Sequence, residues 1–126
     1  MARSVLIVDD HAGFRSFARL FLESAGFDVV GEAGTGAAGI EAAARLRPDV
    51  VLLDVLLPDL DGFEVTRRIR AGRRPPAVIL TSTRDASDFG RRIEASGARG
   101  FLAKAELSRT GLEGLLWGEG RSSRQG

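Results

Sequence analysis

The chain contains no cysteine and a single histidine, His11. Disulfides and thiolate metal sites are thereby excluded, and a zinc site lacks the ligands it needs. Tyrosine is absent and Trp117 is the one tryptophan, which leaves little to stack on a flavin. Long hydrophobic runs are also missing. The longest, Val50–Leu53 and Val55–Leu57, are split by Asp54 and fall far short of the ~20 residues that cross a bilayer. The N-terminal Met1-Ala2-Arg3-Ser4 leads straight into a strand-like run rather than a signal peptide, so a cytoplasmic location is expected, with no membrane contact. Charge of one sign is not in excess. The formal net charge is +1, which gives no case for direct nucleic-acid binding. Lysine is the last scarcity: of 18 basic residues, Lys104 alone is not arginine.

What remains is a chain of 126 residues, 44% hydrophobic, the length and composition of one soluble domain. Ser4–Val8 is β-branched and apolar, closes on Asp9-Asp10, and is expected to be a buried strand. Phe14, Phe17, Ala18, Phe21 and Ala25 recur at helical spacing until Gly26. The pattern continues with a strand at Phe27–Gly31, a helix at Gly36–Leu46 ended by Pro48, and a strand at Val50–Leu53. A helix at Phe63–Ala71, a strand at Ala77–Thr81, a helix at Ala86–Ser96 and a strand at Gly100–Ala103 follow. A last helix, Leu107–Trp117, is weakened by Gly111 and Gly114, each costing ~1 kcal/mol against alanine. Trp117 is expected to pack that helix onto the sheet. The expected domain is 1–117, followed by a disordered tail at 118–126.

Strands alternating with helices in this way imply an α/β fold with a parallel sheet covered on both faces. In such folds the working site lies outside the carboxyl ends of the strands. Asp9, Asp10 and Asp54 follow the first and third strands there. Three carboxylates in one pocket raise one another's pKa, and a cation relieves them. Hard oxygen ligands, with no histidine or cysteine expected nearby, point to Mg²⁺. The plainer reading makes each aspartate a helix cap or a turn residue. Asp54 is the sharper case, because a charge inside an apolar run is costly unless it is used. Its carboxylate can attack phosphorus, and phosphoryl transfer then needs little more than positioning and cations. Lys104, after the fifth strand, is placed to supply one such cation as a compact point charge where a planar guanidinium would not fit.

The runs Val8-Asp9-Asp10-His11, Asp54-Val55-Leu56-Leu57-Pro58-Asp59-Leu60-Asp61-Gly62 and Gly97-Ala98-Arg99-Gly100-Phe101-Leu102-Ala103-Lys104 resemble the signatures of response-regulator receiver domains. The resemblance covers about residues 4–117. It implies a flavodoxin-like (βα)5 fold with strand order 2-1-3-4-5. It further implies Asp54 as phosphoacceptor, Asp10 and Asp54 as direct Mg²⁺ ligands, Asp9 acting through water, and the Leu56 carbonyl completing the protein's share of the shell. Lys104 would pair with the phosphoryl group, and Phe101 stands at the family's aromatic switch position. A hydroxyl after the fourth strand should turn toward the phosphoryl oxygens. Spacing to Gly97-Ala98 and to Lys104 selects Ser82, while the distance from Pro76 selects Thr81; Ser82 is favoured. The usual proline after the lysine is replaced by Ala105, so a trans bond and a loosened loop are expected.

The resemblance implies a phosphorylation-dependent switch of a two-component or phosphorelay system, not an enzyme beyond its own phosphorylation and dephosphorylation. Its phosphodonor would be a histidine kinase or phosphotransfer protein. With no room after Lys104 for a helix-turn-helix, output is expected through contact with a downstream protein or in a homodimer. Two other classes stand beside it. One is a phosphorylation-independent interaction module of the same shape. The other is a flavodoxin-like enzyme or Mg²⁺-dependent phosphohydrolase.

Two further motifs are read as structural. Gly34-Thr35-Gly36-Ala37-Ala38-Gly39 matches a dinucleotide fingerprint but sits on the second βα turn, and acidic residues occupy the first. It reads as a loop and small residues for close helix packing. Arg67, Arg68, Arg70, Arg73 and Arg74 read as a solvated helix face.

Overall fold

The computed structural model describes residues 2–118. In chain order it contains β1 Ser4–Val8, α1 Ala12–Ser24, β2 Asp28–Ala33, α2 Gly36–Leu46, β3 Val50–Asp54 and α3 Gly62–Arg70. Then come β4 Ala77–Ser82, a 3₁₀ turn Ala86–Asp88, α4 Arg92–Ala95, β5 Gly100–Ala103, a 3₁₀ turn Lys104–Glu106, and α5 Arg109–Glu113 running into a π-type turn, Gly114–Gly118. The strands are all parallel in the order 2-1-3-4-5. This is the flavodoxin-like order, and the winding across the sheet changes sense between β1 and β3.

The two-residue period of each strand sorts the core into two halves. Leu6, Val8, Val51, Leu53, Val78 and Leu80 pack with Ala42 and Ala43 of α2 and with Phe63, Val65 and Ile69 of α3. Val5, Ile7, Val50, Leu52 and Ile79 pack on the other face with Ala18 and Leu22 of α1 and Leu112 of α5. Small residues bring α2 close: a Cβ on Gly39 would lie 2.8 Å from Val8 Cγ1. The helix α1 stops in a Schellman motif. Phe27 N–H donates to Leu22 O and Gly26 N–H to Glu23 O, and Gly26 takes the left-handed φ of 94° that this closure needs.

Several elements differ from expectation. The strand β2 starts at Asp28 rather than Phe27 and runs past Gly31 to Ala33, because Gly31, Glu32 and Ala33 pair with Leu6, Ile7 and Val8 of β1. Asp54 and Ser82 belong to their strands rather than following them. The helix expected at Ala86–Ser96 is not continuous. Gly90 adopts φ 58° and divides it into the 3₁₀ turn and the four-residue α4. Phe89, just before the break, is buried and meets Phe63 edge-on at 5.7 Å and Phe101 at 5.7 Å. The last helix is also shorter than the expected Leu107–Trp117. Ser108 caps α5 by accepting the Gly111 N–H, and after Glu113 the turns widen. There the Arg99 guanidinium donates to the Leu116 carbonyl at 3.0 Å. The Lys104–Ala105 bond is trans, and the loop after it forms a 3₁₀ turn. Expectations for the Trp117 side chain and for the tail beyond Gly118 lie outside the described residues.

Candidate functional site

Parallel pairing in register puts the ends of β1, β3, β4 and β5 side by side. Val8 pairs with Leu53, Asp54 with Thr81, and Ser82 with Ala103. Asp9 and Lys104 are the next residues on β1 and β5. By alternation Asp9, Asp54, Thr81 and Lys104 share the face that α1 covers, and Ser82 lies on the opposite face at the strand's last position.

Asp9 is fully buried. Its Oδ1 accepts the His11 N–H at 2.8 Å, and its Oδ2 lies 2.7 Å from Lys104 Nζ without an aligned hydrogen bond. The same Nζ stands 3.5 Å from Asp54 Oδ2 and 4.3 Å from the centre of the Phe14 ring. The Lys104 side chain is 11% exposed, so its charge is held between two carboxylates and an aromatic face. Asp10 is at the rim, its carboxylate 3.2 Å from His11 Nδ1, which is as close to Asp9. The His11 side chain is 67% exposed at the start of α1 yet turns a ring nitrogen onto both acids.

Asp54 Oδ1 accepts the Leu56 N–H at 3.1 Å. Burial pushes the Asp54 carboxyl up to about 6; the Leu56 N–H opposes this, the negative charge of Asp9 adds to it, and Lys104 opposes it. The group is thus still mainly ionised at neutral pH, though at a cost. Leu56 is 52% exposed on the loop, which Asp61 steadies through a bridge to it. Gly62 follows, with no room for a side chain: a Cβ would lie 2.6 Å from Asp54 O.

Of the two candidate hydroxyls, Ser82 Oγ accepts the Arg84 N–H at 3.1 Å. Thr81 Oγ1 is buried with no hydrogen-bond partner among the described residues. Phe101 is partly buried and continues through Phe89 to Phe63 as a row of rings.

The donor set suits a hard divalent cation. Asp9, Asp10, His11 and Asp54 each place one ligand atom within 4.8 Å of the others, so an imidazole stands among the carboxylates where none was expected; Asp9 Oδ2, ion-paired with Lys104, accepts no hydrogen bond among the described residues. Three residues that sequence reasoning did not place here contribute. Phe14 underlies Lys104, and Phe89 joins the row of rings. Asp59 accepts the Gly36 and Ala37 N–H groups at 2.7 and 3.0 Å, tying the Leu56 loop to the start of α2. These bonds hold the Asp59 carboxyl below its ordinary range. An acid already fills the helix N-terminus that a dinucleotide would use. Phe14 and Phe89 carried only the signal of helical periodicity, whereas Asp59 stood inside the third-strand motif.

A doubly wound parallel sheet with an acidic crevice at its switch point, closed by one lysine, is the architecture of a receiver. The response regulator receiver domain matches residues 5–113, and the chain belongs to that family. It is 34% identical over 113 residues to the response regulator GacA of Pseudomonas aeruginosa, covering 89% of this chain and 51% of that protein. It is 38% identical over 104 residues to the DNA-binding response regulator MtrA of Mycobacterium leprae, covering 82% of this chain and 45% of that protein. The chain therefore spans about half the length of these relatives. Among solved structures it resembles the signal receiver domain of NarL from Mycobacterium tuberculosis, with TM-score 0.77, 37% identity and coverage of 86% and 88%. It also resembles the chemotaxis response regulator CheY4 of Vibrio cholerae, with TM-score 0.82, 26% identity and coverage of 92% and 100%.

Proposed function

We propose that this receiver domain takes a phosphoryl group on Asp54 from a phosphohistidine donor and reports it by contact with a protein partner. The observation that carries the reading is Lys104 Nζ held beside both Asp9 and Asp54 at the switch point. An Asp54 oxygen attacks phosphorus, an O–P bond forms, the N–P bond of the donor breaks, and the imidazole released takes up a proton. Asp9, Asp10, Asp54 and the Leu56 carbonyl would hold Mg²⁺, which when bound supplies positive charge to the phosphoryl oxygens. Lys104 needs to move little to exchange its contact with Asp54 for one with a phosphoryl oxygen. Ser82 closes its strand and can give up the Arg84 N–H to turn its hydroxyl to the same group; Thr81 is the competitor. Ser82 shares its face of the sheet with Phe101, so its move would alter the packing there, and the row Phe101–Phe89–Phe63 would spread the change toward α4 and α3.

The histidine kinase or phosphotransfer donor, the downstream protein, a homodimer as the active form, direct contact only with protein, and a cytoplasmic setting belong to the same proposal. Among the described residues no helix is long and apolar enough to cross a membrane. Mass spectrometry of the chain after acetyl phosphate and Mg²⁺ tests the reading. One phosphoryl group at Asp54 is the expected product. No modification, or modification elsewhere, favours the phosphorylation-independent module.

A further inference from the structure

At the opposite end of the sheet from Asp54, a groove of about 970 Å³ opens between the C-terminal ends of α2 and α3. Its apolar floor is made by Ile40, Ala43 and Ile69, of which Ala43 and Ile69 are core residues exposing only an edge, and Pro75 and Pro76 line it as well. Its walls carry Arg47, Arg68, Arg73 and Arg74 against one acid, Asp49. That is a net of three positive charges, more than the +1 of the whole chain, so the rest of the surface is on balance acidic. The one acid is engaged: Asp49 Oδ2 accepts from the Ser4 N–H and hydroxyl. Arg68 pairs with Glu64. Among the described residues Arg47, Arg73 and Arg74 have no ion pair.

The backbone adds an independent observation. Among the described residues, the non-glycine residues with positive φ are Arg47 at 49° and Arg74 at 50°, and both line this groove. Left-handed backbone is where glycine fits without steric cost and a side chain does not. Attraction to the negative ends of the helices accounts for arginines in the last turns. It does not account for two arginines at glycine-type positions facing the same cleft.

We propose that this groove binds an acidic, amphipathic segment of a partner protein, its carboxylates on the arginines and its apolar side chains on the Ile40–Ile69 floor. A peptide alternating acidic with apolar residues satisfies floor and walls together. A duplex DNA backbone offers phosphates for the arginines but nothing apolar for the floor. The lining also contains no aromatic ring on which single-stranded bases could stack.

The test is fluorescence anisotropy at low salt with a labelled peptide alternating glutamate and leucine, alongside a glutamine counterpart and a duplex oligonucleotide. The glutamate peptide should bind, with affinity falling as salt rises, and the other two should not compete. In the double variant Arg47→Gly, Arg74→Gly affinity should fall by about tenfold or more, while the melting temperature stays level or rises. Arg73→Gln, which leaves both left-handed positions alone, should weaken binding by itself. Equal binding of the glutamine peptide, preference for DNA, or unchanged affinity in both variants would overturn the proposal. A fall in melting temperature in the double variant would show instead that the two arginines serve the fold.

Discussion

Asp54 ends a strand whose other four residues are buried and apolar, and its carboxyl is pushed up to about 6 chiefly by that burial. The sign of the consequence follows. Between the ordinary value of 3.8 and about 6 the folded chain holds the proton more tightly than the unfolded chain, so stability falls as pH rises through that window. Asp54→Asn removes the charge. In metal-free buffer the variant should exceed the wild type in unfolding free energy by on the order of 2 kcal/mol at pH 8 and by much less at pH 4.5. An equal difference at both pH values would show that burial of the charge is not what Asp54 contributes. Thr81 makes a second residue-scale case. Its buried hydroxyl has no partner among the described residues, so Thr81→Val should be neutral or stabilising by about 1 kcal/mol in urea unfolding. Clear destabilisation would mean that the hydroxyl is bonded in solution. Lys104 is confined by the Phe14 ring and two carboxylates, a fit for an ammonium rather than a planar fork. Lys104→Arg should fold and still accept phosphate, yet fail to strengthen partner binding on phosphorylation. Normal coupling in that variant would contradict the role given to the lone lysine.

Elements were legible where one physical signal dominated. The inner strands β1, β3 and β4 are apolar runs closed by polar residues, and α1 and α2 carry unbroken periodicity with clear stops. The segment at 86–96 was misread because Phe89, Ile93 and the alanines fit a helical face as well as they fit the broken form. What decides between them is tertiary: Phe89 fills the gap between Phe63 and Phe101, and Gly90 turns left-handed to let it. Gly90→Ala tests this, since φ 58° is strained for alanine and no described residue lies within 4 Å of the added Cβ. It should cost about 1 kcal/mol from conformation alone. A gain in stability with added helical circular dichroism would show that the segment prefers a continuous helix. The last helix was misread in extent for a related reason, because the Arg99 contact with the Leu116 carbonyl is invisible in the local pattern.

On the scale of the whole molecule, one topological fact assembles the site. The change in winding sense between β1 and β3 makes them parallel neighbours and brings Asp9 and Asp54 together, and β5 places Lys104 on the same face. The acids, the lysine and the three signatures were legible because they cluster at strand ends. The order of the two hydroxyls was not, since Thr81 and Ser82 are adjacent and differ only in which face of the sheet they take. The arginine groove was masked as well, because Arg47 and Arg74 stand far apart in sequence and only the fold places them on one cleft. The central claim is that the crevice makes Asp54 a phosphoacceptor. Intact-mass and peptide-mapping mass spectrometry after acetyl phosphate, with Mg²⁺ and with chelator, tests it most directly. The account predicts a single phosphoryl group on Asp54, lost with chelator and in Asp54→Asn. Labelling that persists in Asp54→Asn, or that is indifferent to Mg²⁺, would contradict it.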